Sequence, residues 1–315
     1  MILRKMPPTW DQSFRPWFYS RWGRENCVIA ARSRGAEYPN YQQRLSIKAV
    51  WGGREDYFVD GRRLSVDDET FLILNDGRTY ASTLRARSPV TSFSIFFRPG
   101  MAEDVARTLL CSHETLLEDP QGSLASPVEF SEHLRRHDRS VTPVLRFIFR
   151  HVDAGVTDED WYEDQLHFLL QRMLAIHCHD RSVTELIPAG RSRTRKELFR
   201  RAALAADFIN MNFAAPLDLR QIAAAARLSS FHCLRVFKAV LGTTPIAYLN
   251  ERRVQTAQRL LRASKHSVGE VAALVGFQSR STLFRWMKRT LGAAPGSVRT
   301  LPAYARSTPG ESPED

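Results

Sequence analysis

Two segments near the C-terminal end of the sequence carry arginine and lysine at matching positions, fifty residues apart. The first segment has Arg235 and Lys238, and the second has Arg285 and Lys288. A guanidinium group can donate two hydrogen bonds to the edge of one guanine, and an ammonium group can neutralise a phosphate. The residue types at this spacing are therefore suited to binding a nucleic acid.

The match between the two segments extends beyond their basic residues. Each begins at a serine that can cap a helix and ends in Leu-Gly, with a proline three residues after the glycine. A capping box can start a shorter helix before each segment, and its residues are Asp218 and Gln221 in the first copy and Ser267 and Glu270 in the second. Because a repeat at a fixed offset indicates one supersecondary unit built twice, the pattern predicts two helix-turn-helix motifs with recognition helices at 229–241 and 279–291.

The period of the α-helix assigns a face to each residue of these two helices. In the first helix, Cys233 and Phe237 are predicted to point into the core. In the second helix, Leu283 and Met287 are predicted to do the same. The residues left on the outward faces and their rims are the candidate DNA contacts, and they are Ser230, Phe231, Leu234, Arg235, Lys238, Gln278, Arg280, Ser281, Thr282, Phe284, Arg285 and Lys288.

Arg235 and Arg285 are the strongest candidates for reading bases, because one Arg–guanine pair discriminates by about 1–3 kcal/mol. Leu234 and Phe284 are apolar residues on a face that we expect to be wet. Two interpretations stay open for them: contact with thymine methyl groups, and the scattered apolar residues found on any protein surface.

A single long helix is predicted between the two motifs, from Pro245 to about Arg262. Its length of roughly 27 Å is close to the spacing of roughly 34 Å between successive major-groove segments on one face of DNA. Such a spacer predicts that both recognition helices read one duplex, at a site without internal symmetry.

Residues 197–300 resemble the AraC/XylS family of bacterial transcription regulators. The matching positions are Tyr248, Arg252, Ala257, Leu261, Gly276, Phe277, Ser281, Arg285, Lys288, Gly292, Pro295 and Arg299. The resemblance implies an all-α DNA-binding domain at 197–302, with seven helices and two helix-turn-helix motifs. It also implies double-stranded DNA and RNA polymerase as partners, and it leaves activation and repression open. Cys233 and Met287 depart from the family's usual Leu and Phe, as core substitutions that leave the candidate DNA contacts in place.

The charge of the chain is unevenly distributed. Residues 191–300 hold 20 Lys and Arg against 5 Asp and Glu, whereas the remainder holds 25 against 29. A cationic domain joined to a slightly acidic one is typical of a nucleic-acid-binding protein with a separate second function. The sequence shows no membrane-length apolar run and no signal-peptide pattern, so we expect a cytoplasmic protein.

Residues 1–185 are predicted to form a second domain of the α+β class. It comprises an irregular aromatic arm at 1–24, a small β-barrel at 25–98 and helices at 101–180. Alternating apolar residues, as in Ile47 and Ala49, indicate half-buried strands, and Asp60-Gly61 and Asn75-Asp76-Gly77 are typical hairpin turns. The family resemblance implies that this barrel is cupin-like, that it binds a small effector, and that the following helices mediate homodimerisation.

Two helical stripes are predicted in this domain, at 141–152 and 162–176. The second stripe is apolar over more than one face, and burial within one chain and dimerisation are equally open explanations. Residues 186–196 are predicted to be a linker, and the polar, Pro-rich residues 303–315 to be a disordered tail.

Neither a metal, a cofactor nor a catalytic centre is expected. The four cysteines Cys27, Cys111, Cys178 and Cys233 are far apart, and there is no histidine between Arg24 and Arg98. His177 and His179 would point to different faces of a helix, and Cys111 is interpreted as a buried thiol. Two alternatives stay open: a regulator controlled by protein partners alone, and an enzyme fused to a DNA-binding module, such as a zinc-containing DNA-repair methyl acceptor, which the scattered cysteines oppose.

Overall fold

The chain divides into two compact units, Met1–Asp207 and Phe208–Asp315, called here the N-terminal unit and the C-terminal unit. The computed structural model describes residues 1–8, 11–110, 113–119 and 127–300. Cys111 and the predicted disordered tail at 303–315 lie outside the described residues.

The N-terminal unit is built on one mixed sheet. Its strands are β1 (Ile2–Leu3), β2 (Cys27–Gln42), β3 (Ser46–Trp51), β4 (Arg54–Val59), β5 (Arg62–Asp67), β6 (Thr70–Leu74), β7 (Thr79–Phe96) and β8 (Leu134–Arg136). The hydrogen-bonded order is β1-β2-β7-β3-β6-β8, with β4 pairing to β5 and β7. Only β1 and β2 run parallel among these pairs.

The described strands do not close into a barrel. Their hydrogen-bonded path ends at β1 and β8, so the predicted cupin-like barrel is not confirmed. The central strand β7 is 18 residues long, and it pairs with β4 near its start and with β3 near its end. Pairing between strands that are distant in sequence depends on tertiary packing, and the alternation of apolar residues along one strand does not predict it.

The two predicted hairpin turns have different outcomes. Asp60 and Gly61 join β4 to β5 as a two-residue turn with both φ angles positive, at 49° and 71°, so this hairpin is confirmed. The hairpin predicted at 75–77 is wrong, because β6 pairs with β3 and β8 instead of β7. Asn75 is held elsewhere: its backbone N–H donates to the carboxylate of Glu132 at 2.9 Å, and its side-chain amide donates to the carbonyl of Phe130 at 2.8 Å.

The aromatic arm contains a helix that the sequence analysis missed, α1 (Phe14–Arg21). Phe14, Phe18 and Trp22 follow the i, i+4 spacing and stack in sequence, with ring centroids 5.3 and 4.9 Å apart. The ring of Trp22 then contacts Phe96 on β7, at 4.6 Å between centroids. The expectation of an irregular segment was wrong here, because the arm is stabilised by aromatic packing along one helical face.

The remaining helices of the N-terminal unit are α2 (Met101–Leu110), α3 (His113–Glu118), α4 (Val141–Ala154) and α5 (Glu159–Glu185). Helices α4 and α5 confirm the predicted stripes, and both bury them in one core. That core also contains Ile47, Phe71 and Phe93 from one face of the sheet. Much of the apolar surface of α5 is therefore covered within the chain, and dimerisation stays a prediction.

The C-terminal unit is helical. Its elements are the end of α6 (Ser192–Asn212), α7 (Leu219–Ala225), α8 (Ser230–Leu241), α9 (Pro245–Ala263), α10 (Val268–Leu274), α11 (Arg280–Leu291) and α12 (Pro295–Thr300). Helix α6 begins inside the segment 186–196 that was predicted to be a linker, and it continues past the boundary between the units. The predicted domain limits and the count of seven helices for 197–302 stay predictions, because residues 301–302 lie outside the described residues.

A buried carboxylate ties α6 to the N-terminal unit. Asp207 is 2% exposed, and its Oδ1 accepts a hydrogen bond from the backbone N–H of Leu134 at 2.7 Å. Its Oδ2 lies 3.8 Å from the guanidinium of Arg62. Burial raises the pKa of Asp207 to about 7, and the Leu134 hydrogen bond and the positive charge of Arg62 only partly oppose this.

This pKa predicts that the N-terminal unit loses stability as the pH rises. The folded chain holds the Asp207 proton where the unfolded chain, with a pKa near 3.8, has released it. Between pH 5 and 7.5 we expect the unfolding free energy to fall by about 2 kcal/mol through this group, and to change little above that range. Asp207→Asn should flatten this slope in urea titrations followed by tryptophan fluorescence. Asp164→Asn, an exposed helical control, should leave the slope unchanged, and a steep slope retained in Asp207→Asn would contradict the assignment.

Candidate nucleic-acid interface

Helix α8 is fixed at both ends by the residues that the sequence analysis predicted. The hydroxyl of Ser229 accepts a hydrogen bond from the backbone N–H of His232 at 3.3 Å. Gly242 ends the helix in the left-handed conformation, at φ 69°. Cys233 and Phe237 are fully buried, which confirms their predicted inward direction. Burial also raises the pKa of the Cys233 thiol, so it is kept as a neutral core side chain.

Helix α11 repeats this construction. The hydroxyl of Ser279 accepts a hydrogen bond from the backbone N–H of Thr282 at 3.2 Å, and Gly292 ends the helix at φ 67°. Leu283 and Met287 are fully buried, again as predicted. Both helices are therefore oriented in the same way by four equivalent positions: the capping serine, two core residues and the terminal glycine.

Eleven of the twelve candidate contacts lie on α8 and α11, and Gln278 lies in the turn before α11. Ten are exposed: Phe231, Leu234, Arg235, Lys238, Gln278, Arg280, Ser281, Phe284, Arg285 and Lys288. Ser230 and Thr282 are half-buried at the rims. Phe231 is 76% exposed, and Leu234 and Phe284, at equivalent positions, are 37% and 44% exposed. An assignment of any of these residues to DNA stays a prediction.

The basic residues on these faces are not neutralised by acidic neighbours. Among the described residues, none of Arg235, Lys238, Arg280, Arg285 and Lys288 forms an ion pair. Their charges therefore remain available to an anionic partner.

The two preceding turns differ by one residue. Asp218 and Ser267, which cap α7 and α10, are 49 positions apart, whereas Ser229 and Ser279 are 50 apart. The extra residue is Gln278, on the exposed rim of the second motif.

The left-handed residue of each turn also differs between the motifs. It is Arg227 at φ 53° in the first and Gly276 at φ 88° in the second. The first turn therefore has an arginine in the conformation for which the second turn has a glycine, the residue that adopts it without strain. The turns are otherwise alike. In the first, the backbone N–H of Leu228 donates to the carbonyl of Ala223 at 2.9 Å, and in the second, the backbone N–H of Phe277 donates to the carbonyl of Ala272 at 2.8 Å.

Helix α9 connects the two motifs and supplies their shared core. Its Val254, Ala257 and Leu261 pack in one cluster with residues of α10 and α11, including the buried Leu283 and Met287. Tyr248 near its start contacts Phe237 of α8, at 5.4 Å between ring centroids. Helices α8 and α11 are thus both packed against one continuous 19-residue helix.

Two arginines of α9 have structural contacts. Arg252 is fully buried, donates to the hydroxyl of Thr256 at 2.7 Å and lies over the ring of Phe213 at 4.4 Å. Arg253 donates to the carbonyls of Phe213 and Ala215, both at 2.8 Å, and burial lowers its pKa. The positive charge of the sequence therefore overstates the charge that this unit presents at its surface.

One basic residue beside the candidate face was missed. The guanidinium of Arg289 lies 4.9 Å from the ring centroid of Trp286, and Arg289 is exposed on α11. Its equivalent in α8 is Ala239, so comparison of the two repeats alone gave no signal for it. The second recognition helix is the more positively charged of the two.

The N-terminal unit contains a cavity of about 220 Å³ against the sheet. Tyr57 and Tyr80 both line it, together with the charged Lys48 and Glu55. Trp51 does not; its ring packs against Phe93 and Phe149.

The described residues contain no group of three or more His, Cys, Asp or Glu side chains placed to hold a metal ion. The ring of His177 packs against Phe130 instead, at 5.6 Å between centroids. None of the described helices is long and apolar enough to cross a membrane.

Comparison with known proteins identifies the C-terminal region. Residues 222–300 match the family described as a helix-turn-helix domain. The transcriptional regulator MtrA of Neisseria gonorrhoeae is 37% identical over 82 residues, which are 26% of this chain and 27% of that protein. An AraC-like transcription regulator of Streptomyces antibioticus is 33% identical over 100 residues, which are 32% of this chain and 33% of that protein. The chain thus spans about a third of the length of the curated relatives it matches.

A solved structure is similar over the same region. It is the DNA-binding domain of AdpA in complex with a target DNA, which is 33% identical. The match covers 31% of this chain and 89% of that one, with a TM-score of 0.31.

Proposed function

Because its C-terminal region is an AraC-type helix-turn-helix domain, we propose that this chain is a transcription regulator that binds double-stranded DNA through both motifs. One observation carries the proposal: two separately capped helices, packed on the same helix α9, expose an arginine and a lysine at equivalent positions. Basic residues without a binding role would not need to occupy equivalent positions on the two helices. The proposed function includes no catalysis, and its setting is the cytoplasm.

The proposed binding mode places α8 and α11 in successive major grooves of one duplex. Nineteen residues of α9 span about 28 Å, close to the roughly 34 Å between such grooves. Arg235 and Arg285 would each bind a guanine edge, and Lys238 and Lys288 would contact phosphates. The two helices differ at their other exposed positions, so the site that they read is asymmetric.

Affinity for DNA is expected to fall steeply with salt, because each phosphate contact releases bound counterions. With four to six such contacts, binding of the full chain should weaken about 10²- to 10³-fold between roughly 50 and 200 mM salt. Fluorescence anisotropy with a duplex selected from a random library measures this dependence. Lys238→Ala should reduce the logarithmic salt slope by about 1, while Lys5→Ala, far from the recognition helices in sequence, should not. An affinity that stays flat up to roughly 0.3 M salt would contradict the proposal.

The N-terminal unit is proposed to bind a small effector that controls DNA binding. The cavity against its sheet supports this role, because it combines aromatic walls with buried charged side chains. The rival, a regulator controlled by protein partners without an effector, predicts that no small molecule stabilises this unit. RNA polymerase is the expected protein partner of the regulator on DNA.

The chain is also proposed to form a homodimer through α4 and α5. Phe147 on α4 and Phe168 on α5 are 44% and 39% exposed, whereas most residues of the apolar stripes are buried. Sedimentation velocity should show a dimer at micromolar concentration, and Phe168→Asp should shift it to a folded monomer with a lower melting temperature, because the dimer no longer stabilises the folded chain. Leu117→Asp, at an exposed leucine of α3, serves as the control, and a monomeric wild-type chain would reject the proposal.

A further inference from the structure

The cavity of the N-terminal unit lies on the face of the sheet opposite the helical core. On β3, Ile47 and Ala49 point into that core, so the intervening Lys48 points the other way, into the cavity wall. Lys48 is paired in register with Ser94 of β7, which also lines the cavity. Lys48 and Ser94 therefore face this cavity, and both are buried.

Lys48 is an unusual group for such a wall. It is 1% exposed, and its ammonium lies 3.4 Å from the ring centroid of Phe96 and 5.5 Å from that of Tyr80. The faces of aromatic rings stabilise a cation but do not accept its hydrogen bonds as an oxygen would. A buried ammonium in this setting is suited to a partner that brings an acceptor atom.

Glu55 of β4 supplies the opposite charge in the same cavity. It is 3% exposed, and its carboxylate accepts a hydrogen bond from the hydroxyl of Ser92 at 2.6 Å. Glu55 and Lys48 both line the cavity, and the negative charge of Glu55 raises the pKa of Lys48 against the larger, lowering effect of burial. The hydroxyl of Tyr80, also in the lining and 4% exposed, has its pKa raised by burial, and a hydrogen bond with Ser46 only partly opposes this.

The rest of the wall is mainly aromatic. Rings from the strands and from the N-terminal arm surround the charged pair, and they are Phe18, Tyr19, Trp22, Tyr38, Tyr41, Tyr57, Tyr80 and Phe96. Such walls favour a flat apolar body, which gains contact area and ring stacking. The polar groups then fix its orientation.

We propose that this cavity binds a small aromatic molecule of zero net charge, which presents a hydrogen-bond acceptor to Lys48 and a donor to Glu55. The neutrality follows from the wall itself, which holds one basic and one acidic side chain, both buried. Burial lowers the pKa of Lys48, and an acceptor atom on the ligand would favour its ammonium form beside the carboxylate of Glu55. A ligand with net charge would leave an uncompensated charge in a medium of low polarity. The inference deepens the proposed effector role of the N-terminal unit and depends on it for its biological meaning.

Four related probes test the proposal on the full wild-type chain. 4-Hydroxyacetophenone carries a carbonyl acceptor and a hydroxyl donor, acetophenone the carbonyl without the hydroxyl, 4-ethylphenol the hydroxyl without the carbonyl, and 4-hydroxybenzoate a net negative charge. We expect 4-hydroxyacetophenone to raise the melting temperature most, and calorimetry to show it binding about 10-fold tighter than either single-group probe. The benzoate should bind more weakly than 4-hydroxyacetophenone.

Two variants assign each contact to its residue. Lys48→Met should reduce the affinity for 4-hydroxyacetophenone to that for 4-ethylphenol, and leave 4-ethylphenol binding unchanged. Glu55→Gln should remove the advantage of the hydroxyl group and leave acetophenone binding unchanged. Lys5→Met, an exposed control, should change neither. Should a wall variant fail to fold, Tyr80→Phe removes one hydroxyl only, and the comparison of probes on the wild-type chain needs no variant.

Equal binding of the four probes, tightest binding of the benzoate, or no stabilisation by any of them would overturn the proposal. DNA affinity is measured separately on the same samples. A chain that binds 4-hydroxyacetophenone but no DNA contradicts the regulator function and leaves the cavity assignment standing. A chain that binds DNA but none of the probes contradicts the cavity assignment alone.

Discussion

Gly276→Ala is expected to destabilise the C-terminal unit by about 3 kcal/mol, more than any other glycine-to-alanine change in it. Gly276 has φ 88°, a backbone conformation that residues with a Cβ rarely adopt. An added Cβ would also lie 2.5 Å from the carbonyl oxygen of Ala214 and 2.9 Å from its carbon. Because these are backbone atoms, no rotamer change relieves the contact, and the turn between α10 and α11 has to move.

Two other glycines separate the effect of the positive φ angle from that of the close approach to Ala214. Gly242 and Gly292 also have positive φ, at 69° and 67°, but an added Cβ at either would meet nothing within 4 Å. Their alanine variants should lose only about 1 kcal/mol, the cost of the left-handed conformation alone. Hydrogen exchange of peptides from α9 and α11 reports the opening of this unit by itself. A loss in Gly276→Ala no larger than in Gly292→Ala would show that the approach to Ala214 does not constrain the turn.

The C-terminal unit was largely predictable because its signals are local. Ser229 and Ser279 cap their helices as expected, and the inward positions follow from the helical period within twelve residues of chain. The exception is instructive: the left-handed Arg227 was missed because this conformation usually requires glycine. Arg227 and Gly276 are 49 positions apart, whereas the capping serines are 50 apart, so an offset of fifty does not align these two residues.

The N-terminal unit was less predictable because its contacts are distant in sequence. The segment 75–77 has the composition of a hairpin turn, yet its contacts are with Glu132 and Phe130, more than fifty residues away. Likewise, alternation along β3 predicted one buried face, and nothing local showed that Lys48 is buried on the other. A polar residue in an alternating strand has the same signature whether it faces water or an enclosed cavity.

Loss of Arg285 is expected to have the largest effect on DNA recognition. Arg285→Ala should weaken binding to the selected site by about 1–3 kcal/mol, or roughly 5- to 150-fold, and relax the base preference at one position. The reason is geometric: a guanidinium bound to a guanine edge makes two parallel hydrogen bonds, which no other base offers in the same arrangement. Arg285→Lys keeps the charge but loses this fork, so it should lose most of the discrimination as well.

Two comparisons distinguish reading of bases from attraction by charge. Lys288→Ala, one helical turn further along α11, should weaken binding to all sequences alike and lower the salt slope by about 1. Arg235→Ala should also relax a preference, but at a different position of the site, because α8 and α11 carry the equivalent residue in separate motifs. The measurement is selection of sites from a random duplex library with each variant, followed by titration. If both arginine variants relax the preference at the same base pair, the chain reads its site with one helix at a time. If neither changes any preference, Arg235 and Arg285 are phosphate contacts, and base recognition belongs to the other exposed residues of the two faces.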